Sequence, residues 1–253
     1  MPHAIRIFLC LLAALFSLAA APFASAAPVD HFPYAALLSD HVRDGLADYA
    51  ALKSDERLAA FIAALEKTDL EPLSRGERLA YWINTYNAVT LKLMADAWPV
   101  ESIMKLNAGK PWDLPLFTPR GADVAITLNH IEHEIIRKQF GDARIHFALV
   151  CAAVSCPPLI SEPYAPETLE TQLDRQTRAF LHDDRRNRYE RDAHTLRLSP
   201  LFDWYAVDFG GASGVVDYVS PYLPEADQRA LAKHKRHPAV VFTDYDWAPN
   251  AVK

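Results

Sequence analysis

The stretch from Ser74 to Pro99 most constrains how this chain folds. Leu79, Trp82, Ile83, Tyr86, Val89, Thr90 and Leu93 recur at helical spacing. Ser74 followed three residues later by Glu77 is a capping-box pattern, and Pro99 stops the periodic run. This predicts the longest and most apolar helix of the chain, one that runs through the core. Asn84 and Asn87 interrupt it three residues apart, hence on one helix face. Asparagine is a weak helix former, so the pair predicts buried hydrogen bonding, either to a loop or to a substrate. An amide donor of that kind can stabilise an oxyanion. Trp82 fits the core stripe and is a further candidate for the same wall.

Other helices are expected over Tyr34 to Val42, from a Ser54 cap to about Glu66, from an Asn129 cap to near Phe140 before Gly141, from Pro166, over Leu201 to Phe209, over Val215 to Tyr222 and over Glu225 to His234. Leu114–Phe117 and Val124–Leu128 flank Pro119-Arg120-Gly121 and read as a hairpin. Thr195–Leu198 and Ala239–Asp244 read as short strands, and the charged segment Asp183 to Asp192 as a solvated loop. Helices interspersed with a few short strands predict a single α+β domain, several helices around a small sheet, rather than a regular βαβ series.

The least ordinary stretch is Arg144 to Leu159, RIHFALVCAAVSCPPL. Ile145 to Val150 is apolar except for His146, and it opens into a small-residue loop bounded by Cys151 and Cys156 and closed by Pro157 and Pro158. This predicts a strand covered on both faces, followed by a tight turn carrying two thiols. Alternation places Cys151 with Phe147 and Leu149, and His146 on the opposite face. Cys151 is therefore expected to be the more buried thiol, with Cys156 bordering open space.

Composition narrows the classes. The chain has 253 residues, 51% hydrophobic and 23% charged, with a net charge of -6. That is ordinary globular composition, and it argues against a nucleic-acid partner. Residues 1–26 read as a cleaved signal peptide: Arg6 supplies the charge, Ile7 to Ala21 the apolar core, and Ala24-Ser25-Ala26 the cleavage site. Cys10 leaves with it. No other stretch has the length of a transmembrane segment. The mature domain, 27–253, is expected to be exported, periplasmic or extracellular, where two close cysteines commonly pair.

Five ordered motifs carry a resemblance. Tyr81-Trp82-Ile83-Asn84-Thr85-Tyr86-Asn87-Ala88, Leu128-Asn129-His130-Ile131-Glu132-His133, Arg144-Ile145-His146-Phe147-Ala148-Leu149, Ser155-Cys156-Pro157-Pro158 and Phe202-Asp203-Trp204-Tyr205 resemble family 547 of the domains of unknown function. The resemblance runs from about Gly45 to Trp247. It implies no settled reaction and no assigned catalytic residues. Plant members often add a coiled-coil segment that suggests protein interaction; this chain has none.

Two readings of the chemistry follow. In the first, the domain is a thiol-centred hydrolase or acyltransferase. Cys156 is the nucleophile, because a thiolate needs a lowered pKa and a nearby base. His146 or His133 is the base; His133 sits in the first turn of a helix, whose partial positive charge favours neutral imidazole. Glu132 joins that catalytic group, or serves as the capping-box partner of Asn129. Asn84, Asn87, Trp82 and Ser155 line the substrate side. In the second, a Cys151–Cys156 disulfide stabilises a non-enzymatic domain that binds a small molecule or a protein. His133, His146 and a cysteine lack a metal-ligand spacing, so no metal and no cofactor is expected. Asp203, Trp204 and Tyr205 stay unplaced relative to the thiols.

Overall fold

A computed structural model describes residues 31–252. The expected signal peptide, 1–26, lies outside the described residues. Helix α1 (Phe32–His41) leads into a tight antiparallel hairpin, β1 (Val42–Arg43) and β2 (Leu46–Ala47). Its turn residues Asp44 and Gly45 both have positive φ, the conformation a two-residue hairpin turn requires. Helices α2 (Tyr49–Leu52) and α3 (Glu56–Glu66) follow. Asp55, not Ser54, caps α3: its carboxylate accepts the Arg57 backbone N–H and also holds the Arg57 and His41 side chains.

Helix α4 (Arg75–Ala97) is the axis of the domain. The Ser74–Glu77 capping box forms as expected, and the helix ends before Pro99. Residues Leu79 through Leu91 are all buried, on every side of the helix. A helix enclosed on all faces must satisfy its polar side chains internally. Thr85 and Thr90 do so on the carbonyls one turn back, and Tyr81 on the Leu65 carbonyl.

The expected second hairpin is present as β3 (Pro115–Phe117) paired with β4 (Ile126–Thr127). The segment after it departs from expectation. His130–Arg137 winds as a wide π-helix and closes through α5 (Lys138–Phe140). Asn129 has no capping bond, and its amide donates to Asp113 instead. The Thr127 hydroxyl accepts the His130 N–H. Glu132 is therefore released from the capping role expected of it, and π-helical turns are frequent at functional sites.

The expected strand over Ile145–Val150 is also absent. Ala143–Phe147 forms one 3₁₀ turn, followed by irregular chain. The expected burial is present: all six residues from Ile145 to Val150 are buried. The reason is different. Ile145 and Ala148–Val150 pack into the core around α4, whereas Phe147 packs into a second core with Phe180, Phe202 and Phe209. The segment is a seam between two cores, and so is apolar in both directions without belonging to a sheet.

The second core rests on α6 (Leu169–Leu181) and a three-stranded sheet. There β6 (Thr195–Leu198) pairs antiparallel with β5 (Arg188–Glu190) and parallel with β7 (Ala239–Phe242). Strand β5 occupies part of the segment expected to be a solvated loop, and it buries Tyr189. Helices α7 (Leu201–Trp204), α8 (Gly211–Val219) and α9 (Glu225–Leu231) complete the layer. The architecture is a single α+β domain with small sheets. No helix of the described residues is long and apolar enough to cross a membrane.

Candidate functional site

A concavity of about 440 Å³ opens where the two cores meet. Its floor is the cysteine loop. Ala152 holds φ 60, an uncommon conformation for a residue with a Cβ. The C-terminal segment straps the loop in place: the Val154 N–H donates to the Ala248 carbonyl, and the Asp246 N–H donates to the Ser155 hydroxyl. From the other side, the Arg186 guanidinium donates to the carbonyls of Val154 and Ser155. Ser155, expected on the substrate side, is thus part of the strap and is not on the cavity wall.

Both cysteines line the cavity and both are free thiols. The disulfide of the second reading is not formed. The order of burial is opposite to that expected: Cys156 is 3% exposed and Cys151 is half-buried. The strand alternation that ranked them does not exist. The Cys151 N–H donates to the Cys156 sulfur at 2.7 Å, and the Cys151 sulfur lies 3.1 Å from the Tyr245 hydroxyl. Burial pushes the Cys156 thiol up, but hydrogen bonds from Cys151, Tyr245 and the Ala153 backbone outweigh it and leave it below the ordinary thiol value. Burial, followed by the hydrogen bond shared with Cys156, pushes Cys151 well up. Arg186 lies close enough for its charge to act on Cys156.

A charged chain backs the next wall, where His146 and His133 line the cavity. The His146 Nε2–H donates to Asp208 at 2.6 Å, and Arg137 donates to both Asp208 oxygens, at 2.6 and 2.9 Å. The His146 hydrogen bond, opposed by burial and aided by Arg137, holds the Asp208 carboxyl well below the usual carboxylate range. An arginine has no acceptor, so its 3.0 Å contact to His133 Nδ1 makes that nitrogen the acceptor. His133 is then the neutral tautomer with its proton on Nε2. His146 uses the opposite nitrogen: Nε2 donates to Asp208, so the neutral ring carries its lone pair on Nδ1. The Tyr205 ring lies 3.9 Å from the His146 ring and 5.2 Å from the Arg137 guanidinium carbon.

Glu132 is 5% exposed and lines the same cavity. Its neighbours are the Tyr86 and Tyr205 hydroxyls; burial, then the Glu132 charge, pushes both phenols up. The rim is aromatic. Trp247 stacks on Trp204 at 5.8 Å and meets Trp112 edge-on at 5.9 Å, with Tyr245 4.5 Å away.

Of the expected residues, Cys156, Cys151, His146, His133 and Glu132 come together on the cavity. The α4 residues do not. Asn84 donates to the Tyr164 carbonyl and accepts the Tyr164 N–H. Asn87 does the same for the Ala148 carbonyl and the Val150 N–H. Both amides are committed to backbone, so neither is free to serve an oxyanion. Trp82 is core, packed edge-on against Phe117. Sequence reasoning missed Asp208, Arg137, Tyr86, Tyr245, Trp112 and Trp247. One signal was available: Arg137 follows His133 by one helical turn, a spacing at which side chains meet. Among the described residues, no group of three or more His, Cys, Asp or Glu side chains is placed to hold a metal ion.

Comparison with known proteins agrees with the motif resemblance. Residues 70–181 match the family described as "Protein of unknown function, DUF547". The match spans four of the five motifs, and Phe202–Tyr205 lies beyond it. Searches of curated proteins and of solved structures found no match. The matched residues 70–181 carry the core helix, Glu132, His133, His146 and both cysteines, and over that span the chain is similar to the DUF547 family.

Proposed function

We propose that the domain is an exported thiol hydrolase or acyltransferase with Cys156 as nucleophile and His146 as base. One observation carries the reading. A thiol lowered by convergent donors shares a cavity with a histidine that an aspartate orients. His146 is the better base because its Nδ1 keeps a lone pair, whereas the lone pair of His133 is taken by Arg137. The export assignment rests on the leader-like residues 1–26.

The steps balance as follows. His146 Nδ1 takes the proton of the Cys156 thiol, the thiolate attacks the carbonyl carbon of an amide, ester or thioester, and a C–S bond forms. The leaving group departs with the proton held on His146 Nδ1. Water or an acceptor nucleophile then attacks the thioester while Nδ1 takes its proton. The C–S bond breaks, and the departing Cys156 sulfur takes the proton back from Nδ1. Asp208 steadies the imidazolium through Nε2–H.

Mass spectrometry after incubation with p-nitrophenyl acetate tests this. One acetyl group is expected on Cys156, absent in Cys156→Ser. Acylation confined to Cys151, or to surface lysines, overturns the assignment. The binding reading is favoured by the aromatic rim alone, and it predicts no acyl adduct.

A further inference from the structure

Glu132 is the one acidic side chain on the cavity wall, and neither lysine nor arginine lines it. Among the described residues no ion pair reaches Glu132. Arg137 feels its charge, but the arms of that guanidinium lie on Asp208 and His133. Glu132 is left with two phenol hydroxyls, from Tyr86 and Tyr205. A buried carboxylate without a cation is costly, and a positive ligand would offset that cost. The cavity beside it is walled by Trp112, Trp204, Tyr245 and Trp247, whose ring faces attract cations. Trp204 is 50% exposed, so one wall stands open to an incoming group. The same two tyrosines that neighbour Glu132 also feel Cys151, which places the carboxylate and the thiol loop in one neighbourhood.

We infer that the cavity takes a substrate bearing an organic ammonium group, seated on Glu132 within the tryptophan and tyrosine rings, with its acyl carbon turned to the thiols. The inference rests on the thiol-acyl reading for the reaction, but not for the binding. The carboxylate supplies the charge, the rings supply cation–π attraction and exclude water, and the absence of a wall lysine or arginine removes competition for the acid.

Binding is tested apart from chemistry by tryptophan fluorescence of the Cys156→Ser protein. Choline is the probe and 3,3-dimethylbutanol, its neutral isostere, the control. Choline is expected to bind at least about tenfold more tightly than the alcohol. Glu132→Gln is expected to remove about that preference while leaving binding of the alcohol unchanged. Should Glu132→Gln fail to fold, Trp204→Ala, at a half-exposed position, is expected to weaken choline selectively by several-fold. Equal binding of choline and the alcohol, or a preference that survives both substitutions, overturns the inference. Acetylation of Cys156 by p-nitrophenyl acetate is read separately. Adduct formation without choline preference sinks the ammonium site alone, and choline preference without an adduct sinks the thiol mechanism alone.

Discussion

His146 and Asp208 lie 62 residues apart in the chain and 2.6 Å apart in the fold. One comes from the seam between the cores, the other from the turn after α7. The imidazole side chain is 1% exposed, so this carboxylate is its partner in place of water. Asp208→Asn keeps the shape but removes the charge that fixes the tautomer. Acetylation of Cys156 is expected to slow by roughly 10²-fold or more, with helical content unchanged by circular dichroism. An unaltered rate removes His146 from the base role.

The same pair sets an acid limit on stability. Asp208 titrates well below its ordinary 3.8, first because of the His146 hydrogen bond and against the opposing effect of burial. A depressed folded pKa contributes stability that is complete above the ordinary value and is lost as pH falls through the folded one. The melting temperature is expected to hold down to about pH 4 and then drop. Asp208→Asn is expected to flatten part of that drop. Asp55, held low by Arg57, keeps the rest.

The two thiols are expected to differ in pH response. Iodoacetamide should label Cys156 on a profile centred below the ordinary thiol value of 9.0, because the thiolate is the reactive form. Cys151→Ser changes one donor to that sulfur but keeps the backbone N–H, so labelling should persist with a shifted profile. Labelling of Cys151 first, mapped by peptide mass spectrometry, contradicts this order. Because both thiols are free, reductant should leave the wild-type melting curve in place.

Asn87→Ala and Asn84→Ala separate structure from site. Each strips a buried carbonyl and a buried N–H of their partners, at a cost of about 2–4 kcal/mol by urea denaturation. Asn87 grips Ala148 and Val150, between His146 and Cys151. Only its loss is expected to disturb the thiol profile.

Gly45 carries a load that its place in a hairpin conceals. A Cβ there, at φ +81, meets the Pro158 Cβ at 2.6 Å. Gly45→Ala combines left-handed strain with displacement of the proline that closes the thiol loop. A loss of about 1–3 kcal/mol is expected, with slower Cys156 labelling.

The capping box of α4, its stop at Pro99, the second hairpin and the strand at Thr195 were legible in the sequence. Each is decided by hydrogen bonds and periodicity within a few residues. The chemical types at the site were legible too: two thiols, two histidines and Glu132 are unusual in their local settings. Strand or seam could not be read for Ile145–Val150, because an apolar run reports burial and not what buries it. The cover comes from Phe180, Phe202 and Phe209, far along the chain.

Partnership was likewise a tertiary decision. Asp208 looks like any acid beside a turn until the second core brings it to His146. Tyr245 lies 94 residues from the thiol it touches. Asn84 and Asn87 look like site amides until the segments at Tyr164 and Ala148 fold onto them. By itself the sequence determined the helices, the hairpin and the supply of reactive groups, since these depend on short-range hydrogen bonding, periodicity and residue chemistry. Only the tertiary structure decided which group faces the cavity, which thiol is buried and which acid holds the histidine, because burial and charge act through space between residues the chain keeps far apart.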